Sequence, residues 1–152
     1  MKNSLHQNAV KPTTNDGMDI GICAINVNER IVKYSGSNTP LLLIRNGQTK
    51  VMVIRGSEKS IGGSTRKNQQ FANREFQLAK GDTFYLSTDG YADQFGGADG
   101  KKLMQKKFKD VLVNIQNKSM AEQKLYLEQY MEEWKMGKRQ IDDILVVGVK
   151  MV

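Results

Sequence analysis

Two apolar runs, far apart in the chain, each meet an acid at one end. Thr83-Phe84-Tyr85-Leu86 delivers Ser87-Thr88-Asp89-Gly90-Tyr91-Ala92-Asp93, and Gln140-Ile141-Asp142-Asp143 opens Ile144-Leu145-Val146-Val147-Gly148-Val149. Both runs have the length and residue types of strands. Asp89 therefore sits where one strand ends, with Gly90 expected to let the backbone turn sharply beneath its carboxylate. Asp142 and Asp143 stand at the mouth of the other. Two strand ends that each present an acid can converge on one cation.

Upstream of Asp89 the chain reads as strands joined by turns. Met18 to Val27 is apolar on both faces and reads as a central strand, Asn28-Glu29 turns into Ile31 to Ser35, and Leu41 to Ile44 meets the hairpin signal Asn46-Gly47 before Lys50 to Ile54. An antiparallel meander is expected. Gly56 to Gln70, rich in Gly, Ser, Lys and Asn, reads as a surface loop with Ile61-Gly62-Gly63 as a tight turn. Phe71 to Leu78 alternates as a strand, and Ala79-Lys80-Gly81-Asp82 is expected to form the hairpin turn into Thr83 to Thr88.

Past Gly96-Gly97 the period lengthens. Leu103 or Met104, Phe108, Val111, Leu112 and Ile115 fall on one helical face, with lysines opposite. Ser119-Met120-Ala121-Glu122 has capping-box spacing and opens a second helix. Its stripe of Met120, Leu127, Met131 and Trp134 reads as core against a sheet, and it closes near Gly137. Asn3 to Gln7 reads as the last turn of a helix and Asn8 to Asn15 as a loop. The order of strands, two helices and a last strand gives an α+β class.

The 152 residues amount to about one domain. No apolar run approaches the roughly 20 residues of a membrane span, so no membrane contact is expected, and Met1 to Asn8 lacks a signal-peptide core. Cys23 is the only cysteine and lies in an apolar run, which suggests a buried, inert thiol and a reducing, cytoplasmic setting. The net charge of +7 raises nucleic acid as a partner, whose binding would weaken steeply with salt. Much of the excess sits in Lys101-Lys102, Lys106-Lys107, Lys109, Lys135, Lys138 and Arg139, without the interleaved aromatics of a base-stacking surface. That is the pattern of a solvated helix face, and no nucleic acid is expected.

A hard dication such as Mg²⁺ or Mn²⁺ prefers oxygen ligands and keeps several waters, so a few Asp carboxylates suffice when a phosphate supplies the rest. No histidine or cysteine is required. His6, alone in a polar segment, is not expected to act. Taken singly, Asp89-Gly90 is also a common turn, and Asp142-Asp143 is also a solvated turn pair. The combination is the stronger signal. Asp93 and Asp99 read as loop residues, Asp82 as part of the hairpin turn, and Asp16 and Asp19 flank the first strand without an evident partner.

The ordered set Asp16-Gly17-Met18-Asp19-Ile20, Tyr34-Ser35-Gly36-Ser37-Asn38-Thr39-Pro40-Leu41, Ile61-Gly62-Gly63, Leu78-Ala79-Lys80-Gly81-Asp82, Ser87-Thr88-Asp89-Gly90 and Asp142-Asp143-Ile144 resembles the C-terminal part of a bacterial metal-dependent serine phosphatase. The resemblance is to the protein phosphatase 2C superfamily, in the branch typified by the sporulation stage II E protein and RsbU-like regulators. It implies an antiparallel β-sandwich flanked by helices, with a binuclear Mg²⁺ or Mn²⁺ centre at one end. Asp89 and Asp142 would be metal ligands, Gly90 and Asp143 would support them, and no catalytic residue beyond the ligands is implied.

Two earlier acidic motifs of that family, a Gly-Asp near an N-terminal strand and an Asp ahead of Gly-His-Gly, do not occur here. The expectation is therefore a domain incomplete at its N-terminus, with residues 1–15 as the end of a truncated helix and loop and 16–152 as the C-terminal portion of a single phosphatase domain. Such a chain is expected to be nearly inactive alone and to self-associate through uncovered sheet edges. The resemblance implies a parent enzyme that hydrolyses phosphoserine or phosphothreonine on a regulatory partner, typically an anti-sigma-factor antagonist. The alternative is a non-catalytic phosphoprotein-interaction or regulatory module.

Overall fold

The computed structural model describes residues 17–62 and 70–152. The expected helix end at Asn3 to Gln7, the loop after it, His6, Asp16 and Gly63 lie outside the described residues. In chain order the elements are β1 (Gly17–Met18), β2 (Ile20–Asn26), β3 (Ile31–Ser37), β4 (Leu41–Ile44), β5 (Met52–Ile54), β6 (Ile61–Gly62), β7 (Asn73–Gln77), β8 (Thr83–Ser87), α1 (Gly90–Asp93), β9 (Phe95–Gly96), β10 (Lys101–Lys102), α2 (Met104–Asn114), α3 (Met120–Lys135) and β11 (Val146–Lys150). They fall into two compact units. One draws its described residues from Met1–Leu41 and Val53–Leu78, the other from Leu42–Met52 and Ala79–Val152.

The first unit is built on β3, which pairs antiparallel with β2 from Ile20↔Ser37 to Asn26↔Ile31 and with β7 from Ile31↔Gln77 to Ser35↔Asn73. Its alternation turns Val32 and Tyr34 inward, and both are buried. β2 lies at the edge of this sheet, not at its centre as its apolar pattern suggested. Ile22 and Ile25 are accordingly 53% and 38% exposed among the described residues. Apolar residues on both faces mark a central strand only when both faces are covered. Cys23 is half-buried, and burial pushes its thiol up, away from reactivity.

The segment read as the surface loop Gly56 to Gln70 is partly ordered into sheet. β6 pairs with β1, and Ser57 bridges Ser37 in parallel. Ser57 N donates to Gly36 O at 2.7 Å, Asn38 N to Ser57 O at 2.9 Å, and Ser37 Oγ to Lys59 O at 2.7 Å. This approach needs bare backbone, because a Cβ on Gly56 would lie 2.2 Å from Gly36 O. Asp19, without a partner in the sequence reading, accepts from Ser60 Oγ at 2.6 Å and Asn38 Nδ2 at 2.9 Å.

In the second unit β11, β8 and β4 (from Leu42) are neighbours in that order. Two expectations of local hairpins are corrected here. β3 and β4 belong to different sheets, so the meander breaks after Ser37. Likewise β7 pairs with β3 while β8 pairs with β4 and β11, so Ala79 to Asp82 joins two sheets and is no hairpin turn. Asp82 is buried there because its carboxylate gathers donors: Arg45 Nη1 at 2.6 Å, Asn46 N at 2.8 Å and Ala79 N at 2.8 Å. Burial alone would raise this carboxyl, but the two backbone donors and the guanidinium hold it below its ordinary 3.8.

α2 buries Phe108, Val111 and Leu112, flanked by buried Leu103 and Ile115, as its periodicity predicted. The capping box of α3 forms: Glu122 N donates to Ser119 Oγ, and Ser119 N donates to Glu122 Oε2. α3 buries Leu127, Met131 and Gln123 and ends with Met136 in the left-handed region. Tyr85 of β8 donates to Gln123 Oε1 at 2.5 Å and accepts from Gln116 Nε2 at 2.7 Å, while Tyr91 donates to Leu127 O at 3.0 Å. These bonds let polar atoms sit beneath the helices without loss. Lys107 lies 4.1 Å from the centre of the Trp134 ring. No helix among the described residues is long and apolar enough to cross a membrane.

The Asp82 cluster generates a pH dependence. A carboxyl with a lowered folded pKa contributes stability that is fully present above its ordinary 3.8 and is lost as pH falls below that value. Urea denaturation should show the wild-type advantage over Asp82→Asn at about pH 7 shrinking toward about pH 3. Asp82→Ala, which strands two backbone donors and Arg45, should cost on the order of 3 kcal/mol at neutral pH.

Candidate functional site

β8 and β11 pair antiparallel from Lys150↔Thr83 to Val146↔Ser87. This register sets the strand end before Asp89 beside the strand start after Asp143, so the two acid motifs meet in one unit. Beyond the ladder, Thr88 N donates to Leu145 O at 3.0 Å. The Thr88 hydroxyl donates to Asp143 O at 2.8 Å and accepts from Leu145 N at 3.0 Å.

Asp89 is the N-cap of the single-turn helix α1, with φ −75° and ψ −19°, and its side chain makes no capping bond. Its carboxylate is exposed, as are those of Asp142 and Asp143. Asp142 Oδ1 accepts from Asp143 N at 2.7 Å, and Asp142 O accepts from Gln140 Nε2 at 2.8 Å, which shapes the turn before β11. Exposed carboxylates at a strand end keep oxygens turned to solvent, the condition for taking up a hydrated dication.

Gly90 has a role other than the sharp turn expected of it. Its φ lies outside the left-handed region and it is the first residue of α1. What demands glycine is space: a Cβ there would lie 2.4 Å from Asp143 O and 3.0 Å from Asp143 C. The Asp-Gly and Asp-Asp motifs are thus in backbone contact.

The other acids take structural parts. Asp93, expected in a loop, ends α1 and pairs with Lys102 Nζ at 2.7 Å, and Asp99 meets Lys101 Nζ at 3.3 Å. Among the described residues no group of three or more His, Cys, Asp or Glu residues stands close enough to hold a metal. Asp89 and Asp142 can therefore each offer oxygen to a cation but do not complete a shell of about six oxygens. In the sequence Thr88 stands out only as part of its motif. The signal that could have singled it out is a hydroxyl at a strand's last position, able to bridge main-chain groups of a neighbour.

The fold and this pair of strand ends define a protein phosphatase 2C-like domain. The chain matches the family model of stage II sporulation protein E over residues 3–152, and it belongs to that family. Among solved structures it is similar to the SiaA-PP2C domain of Pseudomonas aeruginosa, with TM-score 0.83 and 26% identity over 98% of this chain and 57% of that one. It is similar in fold to the phosphatase domain of SpoIIE from Bacillus subtilis, with TM-score 0.64 and 16% identity over 98% of this chain and 62% of that one. RsbX in complex with magnesium shares the fold at TM-score 0.59 and 19% identity, over 97% of this chain and 60% of that one. The chain thus spans less than two thirds of each of these relatives. No curated protein matches it significantly.

Because backbone cannot yield as a flexible side chain does, Gly90→Ala should force Asp143 away from α1. The expected loss is about 1–3 kcal/mol in chemical denaturation, with amide chemical-shift changes centred on residues 142–145.

Proposed function

We propose that the chain forms part of a metal-dependent serine/threonine phosphoprotein phosphatase in which Asp89 and Asp142 ligate Mg²⁺ or Mn²⁺ and Gly90 and Asp143 support them. The single observation that carries this reading is the backbone contact between Asp89-Gly90 and Asp142-Asp143 at one end of the β8–β11 pair. Membership of the stage II sporulation protein E family supports it, as does the magnesium complex of RsbX. The donor set fits: carboxylate oxygens suit a hard dication, which leaves its remaining positions to water and phosphate. A dication held by Asp89 and Asp142 would supply acidification of water for attack on phosphorus and neutralisation of phosphoryl charge. Asp89 and Asp142 hold negative charge at fixed strand ends, and Asp143 anchors the second end through its carbonyl. The substrate class is a phosphoserine or phosphothreonine on a regulatory protein, of the kind that antagonises an anti-sigma factor.

A second reading has its own observation. Because no group of three metal-capable side chains forms among the described residues, a non-catalytic module that binds a phosphorylated partner is the alternative. It requires partner binding that Asp89→Asn leaves intact.

Calorimetric titration with Mn²⁺ and p-nitrophenyl phosphate turnover on the same samples separate the two. Wild type should bind Mn²⁺ weakly with little turnover, and Asp89→Asn and Asp142→Asn should each lower affinity by about tenfold or more. Binding unchanged in both variants would remove these aspartates as ligands and leave the interaction module.

A further inference from the structure

We infer that Thr88 is a positioning residue for the proposed metal site, its hydroxyl setting the separation of Asp89 from Asp142. The inference rests on the reading of Asp89 and Asp142 as ligands and adds the device that brings them together. The main-chain ladder stops at Val146↔Ser87. At the next step Thr88 N still donates to Leu145 O, but Leu145 N donates to the Thr88 hydroxyl in place of a carbonyl. The same hydroxyl donates to Asp143 O.

One oxygen thus serves as acceptor for one main-chain group and donor to another two residues earlier, and its tetrahedral geometry fixes both directions. The effect is to fold residues 143–145 around the end of β8, so that the carbonyl of Asp143 comes to rest over Gly90. Thr88 precedes Asp89 directly, and Asp143 follows Asp142 directly. The bridge therefore spans the two ligand positions through one covalent step on each side. A β-branched residue suits this role because its χ1 is restricted. Thr88 touches neither substrate nor cation in this reading and acts through the backbone of both ligands.

The test compares wild type with Thr88→Val, which keeps the shape and removes the hydroxyl, and Thr88→Ser, which keeps the hydroxyl. Each full chain is titrated with Mn²⁺ alone by calorimetry, with Asp89→Asn as reference. Amide hydrogen exchange and thermal melting are recorded without metal. Thr88→Val is expected to weaken Mn²⁺ binding by about tenfold or more, with Thr88→Ser restoring most of it. The Leu145 amide should exchange faster in Thr88→Val while the β8–β11 ladder stays protected.

Faster Leu145 exchange with unchanged Mn²⁺ affinity would reduce Thr88 to a structural role and overturn the inference. So would unchanged Leu145 exchange, because the bridge would then be absent. If wild type itself shows no Mn²⁺ binding that depends on Asp89, the metal reading fails first and the inference falls with it. The two failures are distinguishable because the exchange experiment needs no metal.

Discussion

The antiparallel pairing of β8 with β11 is the interaction on which the second unit depends. It joins segments separated by α1, α2 and α3, so its formation carries a loop-closure cost that grows only slowly with the intervening length. Burial of Phe84 and Tyr85, together with the ladder from Thr83↔Lys150 to Ser87↔Val146, offsets that cost. Where the ladder stops, α1 begins. Where β8 turns its faces to the helices, Tyr85 and its bonds to Gln123 and Gln116 receive α3 and the end of α2. A register shift of one residue would turn every side chain of β11 to the opposite face and separate the two acid motifs.

Within this unit, aspartates have two fates, divided by what surrounds them. Asp82 is buried and satisfied by three donors, so its charge stabilises the connection between sheets and is not available for exchange with a ligand. Asp89 and Asp142 remain exposed at strand ends, where charge is cheaply solvated. Asp93 and Asp99 lie between these cases, each with a lysine as partner at the surface. Exposed pairs of that kind contribute little to stability.

In the first unit, Ser37, Asn38, Ser57 and Ser60 supply bonds that the short strands β1 and β6 do not provide. Asn38 occupies a positive φ of 53°, which its short polar side chain tolerates better than most, and donates from there to Asp19.

The α+β class, the helices α2 and α3, the capping box of α3 and most strand positions were legible in the sequence, because each follows from local periodicity or from hydrogen bonds within a few residues. The pairing partners were not. That β2 lies at an edge, that Ala79 to Asp82 crosses between sheets, and that Gly56 to Gln70 contributes a strand all depend on contacts between distant segments. The same division holds at the site. Asp89, Gly90, Asp142 and Asp143 stand out as acids and glycine at strand ends, but the reason for glycine at 90 is the carbonyl of Asp143, and the reason for threonine at 88 is the backbone of residues 143 and 145. The sequence by itself determined which residues could carry the chemistry, since residue type fixes charge, size and hydrogen-bonding capacity. Only the tertiary structure decided that they meet, since antiparallel register between strands remote in sequence is set by the packing of both at once.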